Sequence, residues 1–258
     1  MSTLSSSPLS VHVGASRSAM GARAAADIAS EIGRVLAKKE TARILFAAAP
    51  SQTEMLVSLR QMPGIDWPRV SGFHMDEYLG LAADAPQRFG VWLRQAIFDH
   101  VPIGAVHLID AGEDPARASA DYAAKLRAAT IDIVCCGVGV NGHLAFNDPP
   151  ADFDDPLAVK VVALDERSRQ QQVDDKCFAS LSEVPTHAIT VTISAFLAAG
   201  SIFCTVPGKQ KNAAIHAMLH GPITGLCPAS ALRLHPRCAL YLDPDSAGGM
   251  SLDPYRMI

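Results

Sequence analysis

In TIDIVCCGVGVNGHLAFNDPP, residues 130–150, an apolar run leads straight into three glycines and a histidine. Residues 130–139 form the most hydrophobic strand candidate in the chain. A run this apolar reads as a strand buried on both faces, the signature of a parallel sheet covered by helices. The flanking sequence keeps that alternation. Upstream, a helix is predicted over 16–39 with Ile28, Ile32, Val35 and Leu36 on one face. Then come a strand over 42–50, a helix over 51–62, a strand over 69–75, a helix over 86–100, a strand over 105–110 and a helix over 114–129. That last helix would turn Ala120, Ala124 and Leu126 inward. Downstream, strands are predicted over 158–164, 186–193, 200–208 and 237–243, with a helix over 209–219. Strand-helix alternation of this kind gives a three-layer α/β/α architecture around a mostly parallel, Rossmann-like sheet. One domain is expected over 13–258, after a flexible polar arm at 1–12.

Composition narrows the function classes. The 258 residues are 49% hydrophobic and 19% charged, with a formal net charge of −4. No basic run is present, which argues against nucleic acid as a partner. Apolar segments fall well short of the ~20 residues of a membrane span, which argues against a membrane role. The N-terminal stretch lacks a charged region followed by an apolar one, so a cytoplasmic setting is expected. None of the six cysteines forms a C-x-x-C pair, and three lie inside apolar strand candidates, where cysteine behaves as a small buried hydrophobe. His216 and His220 have the spacing of metal ligands on a helix, but no third ligand accompanies them, and no metal site is expected.

In doubly wound sheets, sites form where the strands end at their carboxyl edge. That places 48–54, 74–81, 137–150 and 206–211 on one rim. In GVGVNGHLAFNDPP, 137–150, Gly139 and its neighbouring glycines would let the backbone approach a ligand, and His143 would act as acid or base near neutral pH, flanked by Asn141 and Asp148. A glycine-rich turn with a surface histidine would read the same way. In FHMDEYLGL, 73–81, Asp76 and Glu77 would sit at a strand end, where partial burial could tune a carboxylate into a base. A solvated loop start is the plain alternative. In PSQTE, 50–54, a helix start would offer free N–H groups to an anion, with Ser51, Gln52 and Thr53 as contacts. Ser51 and Glu54 also fit a capping box, which would explain both without a ligand. Lys209 and Lys211 open a helix, where cations oppose the macrodipole unless an anion joins them; two surface lysines are the alternative.

Taken together, these motifs resemble the glucosamine-6-phosphate deaminase/isomerase family, related in fold to 6-phosphogluconolactonases and ribose-5-phosphate isomerases. FHMDEYLGL is similar to its F-x-M-D-E-Y-x-G-L motif, and GVGVNGHLAFNDPP to its G-x-G-x-D-G-H-I-A-F-N-E-P motif. Order and spacing agree from the first helix to the last strand. The resemblance implies an enzyme converting an amino-sugar phosphate to a ketose phosphate plus ammonia, with no metal or organic cofactor and with a homo-oligomer compatible. It implies that His143 assists ring opening, that Asp76 moves a proton from C2 to C1, and that Lys211 holds phosphate. Lactone hydrolysis, another sugar-phosphate isomerisation, or non-catalytic sugar-phosphate sensing are the alternatives.

The chain departs from the family pattern at four places. Asn141 stands where the motif has Asp, and Asp148 where it has Glu. PSQT replaces a glycine-rich turn, and Gln172 falls where a phosphate-binding arginine is expected. The first two suggest a rebuilt Asn141–His143–Asp148 relay. The last makes Arg167, with Arg169 beside it, the substitute phosphate contact.

Overall fold

The computed structural model describes residues 9–110, 112–253 and 255–257. Eleven strands and eight α-helices follow in chain order: β1 Ser10–Val13, α1 Arg17–Leu36, β2 Ala42–Phe46, α2 Thr53–Arg60, β3 Val70–His74, β4 Asp76–Tyr78, α3 Phe89–Ala96, β5 Ala105–His107, α4 Pro115–Arg127, β6 Ile133–Cys136, β7 Val159–Ala163, α5 Glu166–Asp174, β8 His187–Val191, α6 Ile193–Leu197, β9 Ser201–Val206, α7 Asn212–His220, β10 Cys238–Leu242, α8 Pro244–Ala247 and β11 Arg256–Met257. The main sheet runs β11-β1-β10-β9-β6-β2-β3-β5, and every neighbouring pair in it is parallel.

β6 lies at its centre, and all four of its residues are fully buried. Successive residues point to opposite faces. Ile133 and Cys135 therefore join the apolar layer containing α1, α2 and α3, while Val134 and Cys136 join the layer containing α4, α6 and α7. That alternation makes one strand the shared wall of two cores. It also explains why the cysteines of this strand are free and buried. The α1 helix opens where a cap should be: the Ser16 side chain accepts a hydrogen bond from the Ala19 amide.

Three expectations change. The arm predicted over 1–12 ends sooner: residues 1–8 lie outside the described residues, but Ser10–Val13 pairs with β10 and β11. Leu9 and Val11 are fully buried there. Second, β7 and β8 do not enter the main sheet. With β4 they form a separate antiparallel sheet, ordered β4-β8-β7. Third, Asp76 and Glu77 are not a loop start. The chain leaves the main sheet at Met75, whose carbonyl accepts from Val191 N, and the next three residues pair with β8. Among the described residues, no helix is long and apolar enough to cross a membrane.

The strand order fixes where a ligand fits. From β2 the chain moves outward to β3 and β5, then returns to β6 on the other side of β2. The crevice beyond the carboxyl ends of β2 and β6 is therefore the topological switch point, where backbone leaves in opposite directions and a cleft opens.

Candidate active site

A pocket lies in that crevice. It is lined from β2 by 47–49, Ser51 and Gln52, from the β3 end by Met75 and Asp76, from the β6 turn by Gly137, Gly139 and His143, from α5 by Gln171 and Gln172, and from the start of α7 by Lys211. Three residues predicted far apart in sequence, Asp76, His143 and Lys211, thus meet in one cavity. A larger cavity of about 340 Å3 lies elsewhere, between α4 and α6, with a mainly apolar lining and none of these groups.

The histidine is set by the glycine turn. Gly139 N donates to His143 O at 2.9 Å and Gly142 N to Gly139 O at 3.0 Å, and Gly142 holds φ at +85°. The His143 ring lies directly against Gly139: a β-carbon there would fall 2.1 Å from Nε2. Gly139 to Ala is therefore expected to push the ring out of the pocket and lower kcat about tenfold or more, with little change in fold. Circular dichroism together with kcat checks this.

Nδ1 of His143 faces two oxygens, Asp148 Oδ1 at 3.1 Å and Ser168 Oγ at 2.8 Å. Asn141 does not touch the ring, contrary to the expected relay. Its Nδ2 donates to Asp148 Oδ1 at 3.0 Å, and its Oδ1 accepts from the His143 backbone N–H at 3.1 Å. It acts by holding the carboxylate and the turn. Asp148 Oδ2 accepts from Asp165 N at 3.0 Å. Burial alone would push the Asp148 carboxyl up. The hydrogen bond and charge of His143, with the Ser168 and Asn141 bonds, outweigh it and hold the group well below the usual carboxylate range.

Asp76 is 6% exposed, and among the described residues no side chain hydrogen-bonds its carboxylate. Burial raises it well above the ordinary carboxylate value, and the neighbouring Glu77 charge adds to the shift. Glu77 points to the other face of β4, as strand alternation requires. Its oxygens accept from the backbone N–H groups of Tyr78, Phe89 and Gly90, all at 3.0 Å, and Arg88 Nε lies 3.5 Å away. It therefore anchors the start of α3, not a substrate. Tyr78 packs on Phe89, Phe146 and Phe178, and of these rings Phe89 and Phe146 line the pocket.

The anion end differs from expectation. Lys211 is 3% exposed, and its ammonium has no hydrogen-bond partner among the described residues. Burial pulls it down to about 8, against an opposing pull from Asp175. Ser51 lines the same pocket. The capping box does not form: Glu54 instead meets Arg17 at 2.6 Å, and Ser51 accepts from Gln52 Nε2. Gln52 is buried and tied to β9 through Thr205, at 3.1 Å to the carbonyl and 2.8 Å from the hydroxyl, so it braces the site. Thr53 and Arg167 are both exposed and lie outside the lining. Arg169 turns away to the carbonyls of Leu181 and Val184. In their place α5 presents Ser168, Gln171 and Gln172 inward. Gln171 Oε1 accepts from Val140 N at 3.0 Å, tying α5 to the glycine turn. Ser168 and Gln171 went unnoticed in the sequence because α5 is too polar to show apolar periodicity, yet their spacing places them on one helix face.

Comparison with known proteins shows the family and the fold. A sequence profile described as Glucosamine-6-phosphate isomerases/6-phosphogluconolactonase matches residues 15–239. A glucosamine-6-phosphate deaminase of Pseudarthrobacter chlorophenolicus is 32% identical over 235 residues, covering 88% of this chain and 89% of the relative. One from Corynebacterium glutamicum is 30% identical over 226 residues, covering 86% and 88%. Among solved structures, a monomeric glucosamine-6-phosphate deaminase superposes with a TM-score of 0.83 at 26% identity, covering 93% of this chain and 99% of that one. A 6-phosphogluconolactonase from Trypanosoma brucei reaches 0.78 at 16% identity, covering 94% and 98%, a likeness of fold alone. Because the profile runs from the start of α1 into β10 and takes in both strands of the crevice, the chain belongs to the glucosamine-6-phosphate isomerase/6-phosphogluconolactonase family.

Proposed function

We propose that the protein is an amino-sugar-phosphate deaminase/isomerase, converting a 2-amino-2-deoxy aldose 6-phosphate to the ketose phosphate and ammonia. The observation that carries this reading is the shared pocket of Asp76, His143 and Lys211. It brings two acid-base groups and a buried cation onto one lining. The deaminase relatives support it over lactone hydrolysis.

The residues divide the chemistry between them. Nδ1 of His143 is engaged on the Asp148 side, which leaves Nε2 for the substrate. Nε2 takes the proton of the anomeric hydroxyl and returns it to the ring oxygen, opening the sugar. The ionised Asp148 stabilises the imidazolium that forms in between. Asp76 then removes the C2 proton and delivers it to C1, while a proton of the C2 amine passes to O1, so that C2 becomes an imine. The resulting imine at C2 adds water and releases ammonia, giving the ketose. Burial makes Asp76 a stronger base than a free carboxylate. Lys211, with the Ser51 hydroxyl, binds the phosphate and keeps C2 over Asp76.

The test is ammonia release over a panel of amino sugars with and without a 6-phosphate. Release is expected from a phosphorylated 2-amino sugar and not from the unphosphorylated one. No release from any member would sink the deaminase reading.

A further inference from the structure

We propose that the Ser168 hydroxyl is a positioning residue inserted between His143 and Asp148, through which the carboxylate holds the histidine in its Nδ1–H form. The geometry carries the argument. Ser168 Oγ is 2.8 Å from His143 Nδ1, closer than Asp148 Oδ1 at 3.1 Å. The same hydroxyl donates to Asp148 Oδ1, and Asn141 Nδ2 lies 3.3 Å from it. Ser168 is fully buried, so water does not compete for these bonds.

A hydroxyl has one proton to give and two lone pairs to fill. Only one arrangement uses all three here. Oγ accepts from Nδ1–H and from Asn141 Nδ2, and its own proton goes to Asp148. A carboxylate has no proton of its own, so the chain of donors runs one way, from the ring to the acid. With Nδ1 as donor, the Nε2 lone pair is fixed toward the pocket. The arrangement also explains how Asn141 and Asp148 work together. Asp148 reaches Nδ1 directly at 3.1 Å, and the serine adds the shorter contact to the same nitrogen, at 2.8 Å. Asn141 holds both oxygens in place. Ser168 touches no reacting atom; it acts through His143 alone.

The kinetic part of the test rests on the reaction proposed above, whereas the spectroscopic part does not. Ser168→Ala and Ser168→Thr are compared with the wild type. Imidazole nitrogen-15 shifts of His143 near neutral pH report the tautomer without any substrate. The wild type and Ser168→Thr are expected to show the Nδ1–H form, and Ser168→Ala a mixture of the two neutral forms. In the ammonia assay, Ser168→Ala is expected to lose about tenfold in kcat with KM within twofold, as for one charge-linked hydrogen bond, and Ser168→Thr to regain most of it. If Ser168→Ala keeps the wild-type tautomer, the proposal is overturned whatever kcat does, because the direct Asp148 contact then suffices. If Ser168→Ala changes the tautomer but the wild type releases no ammonia, the positioning role stands and the deaminase reading falls.

Discussion

Asp76→Asn is expected to lower kcat by ~10²–10⁴ while making the folded protein more stable at neutral pH. The two effects have one origin. Asp76 is buried, lacks a hydrogen-bonding partner among the described side chains and sits beside the Glu77 carboxylate, so its charged form is disfavoured in the fold. The folded value lies above the unfolded value of ~3.9. Below that pH both states carry the proton and the aspartate costs nothing. As the pH rises, the unfolded chain ionises first, so the native state of the wild type loses stability until its own group ionises, after which the loss is constant. The stability gain of Asp76→Asn should therefore be smallest near pH 3.5 and larger at neutral pH. Urea unfolding at the two pH values measures it. The acid limb of kcat/KM in the wild type should likewise lie above the ordinary carboxylate range. Equal stability changes at both pH values, or retained turnover, would remove Asp76 as the base.

The parts of this site that were legible in the sequence are those carried by apolar strands. β6 and its glycine turn could be placed because a run such as IVCC, followed by glycines, has few other uses, and the crevice follows from strand order. β4 was not legible. Three residues, DEY, have no alternation long enough to detect, and their partner β8 lies over a hundred residues away, so only the folded chain shows that Glu77 turns toward α3. β1 escaped for the same reason, being four residues that become a strand only between β10 and β11.

The inward face of α5 follows a different rule. The resemblance expects an arginine at Gln172, and Arg167 and Arg169 stand near it as substitutes. On α5 each residue is turned about 100° from the next. Ser168, Gln171 and Gln172 share the inward face, which leaves both arginines off it. α5 is polar on its inner side because that side faces the site, and an apolar pattern is the wrong signal for such a helix. The polar spacing from Ser168 to Asp175 was the usable one, and Asp175 indeed bonds Gln171 at 3.2 Å.

Lys211→Met is expected to raise KM for the phosphorylated amino sugar about a hundredfold and to leave the affinity for any unphosphorylated analogue unchanged. With Arg167 exposed and off the lining and Arg169 bonded to the carbonyls of Leu181 and Val184, Lys211 is the one cation on the pocket lining among the described residues. The same residue sets an upper pH limit. Burial holds the free ammonium at about 8. KM for the phosphorylated sugar should climb as the pH passes that value in the wild type, and should be flat there in Lys211→Met. Stability moves the opposite way from binding. A lysine whose folded value lies below its unfolded value of ~10.4 destabilises the fold while charged. That cost is full below about 8 and fades as the pH rises toward ~10.4. Lys211→Met should thus gain on the order of 3 kcal/mol at pH 7 and nothing near pH 10.5. A variant that is more stable yet weaker toward phosphate marks a cation kept for an anion. Equal losses of affinity for both sugars would instead place the phosphate elsewhere, or show that the substrate carries none.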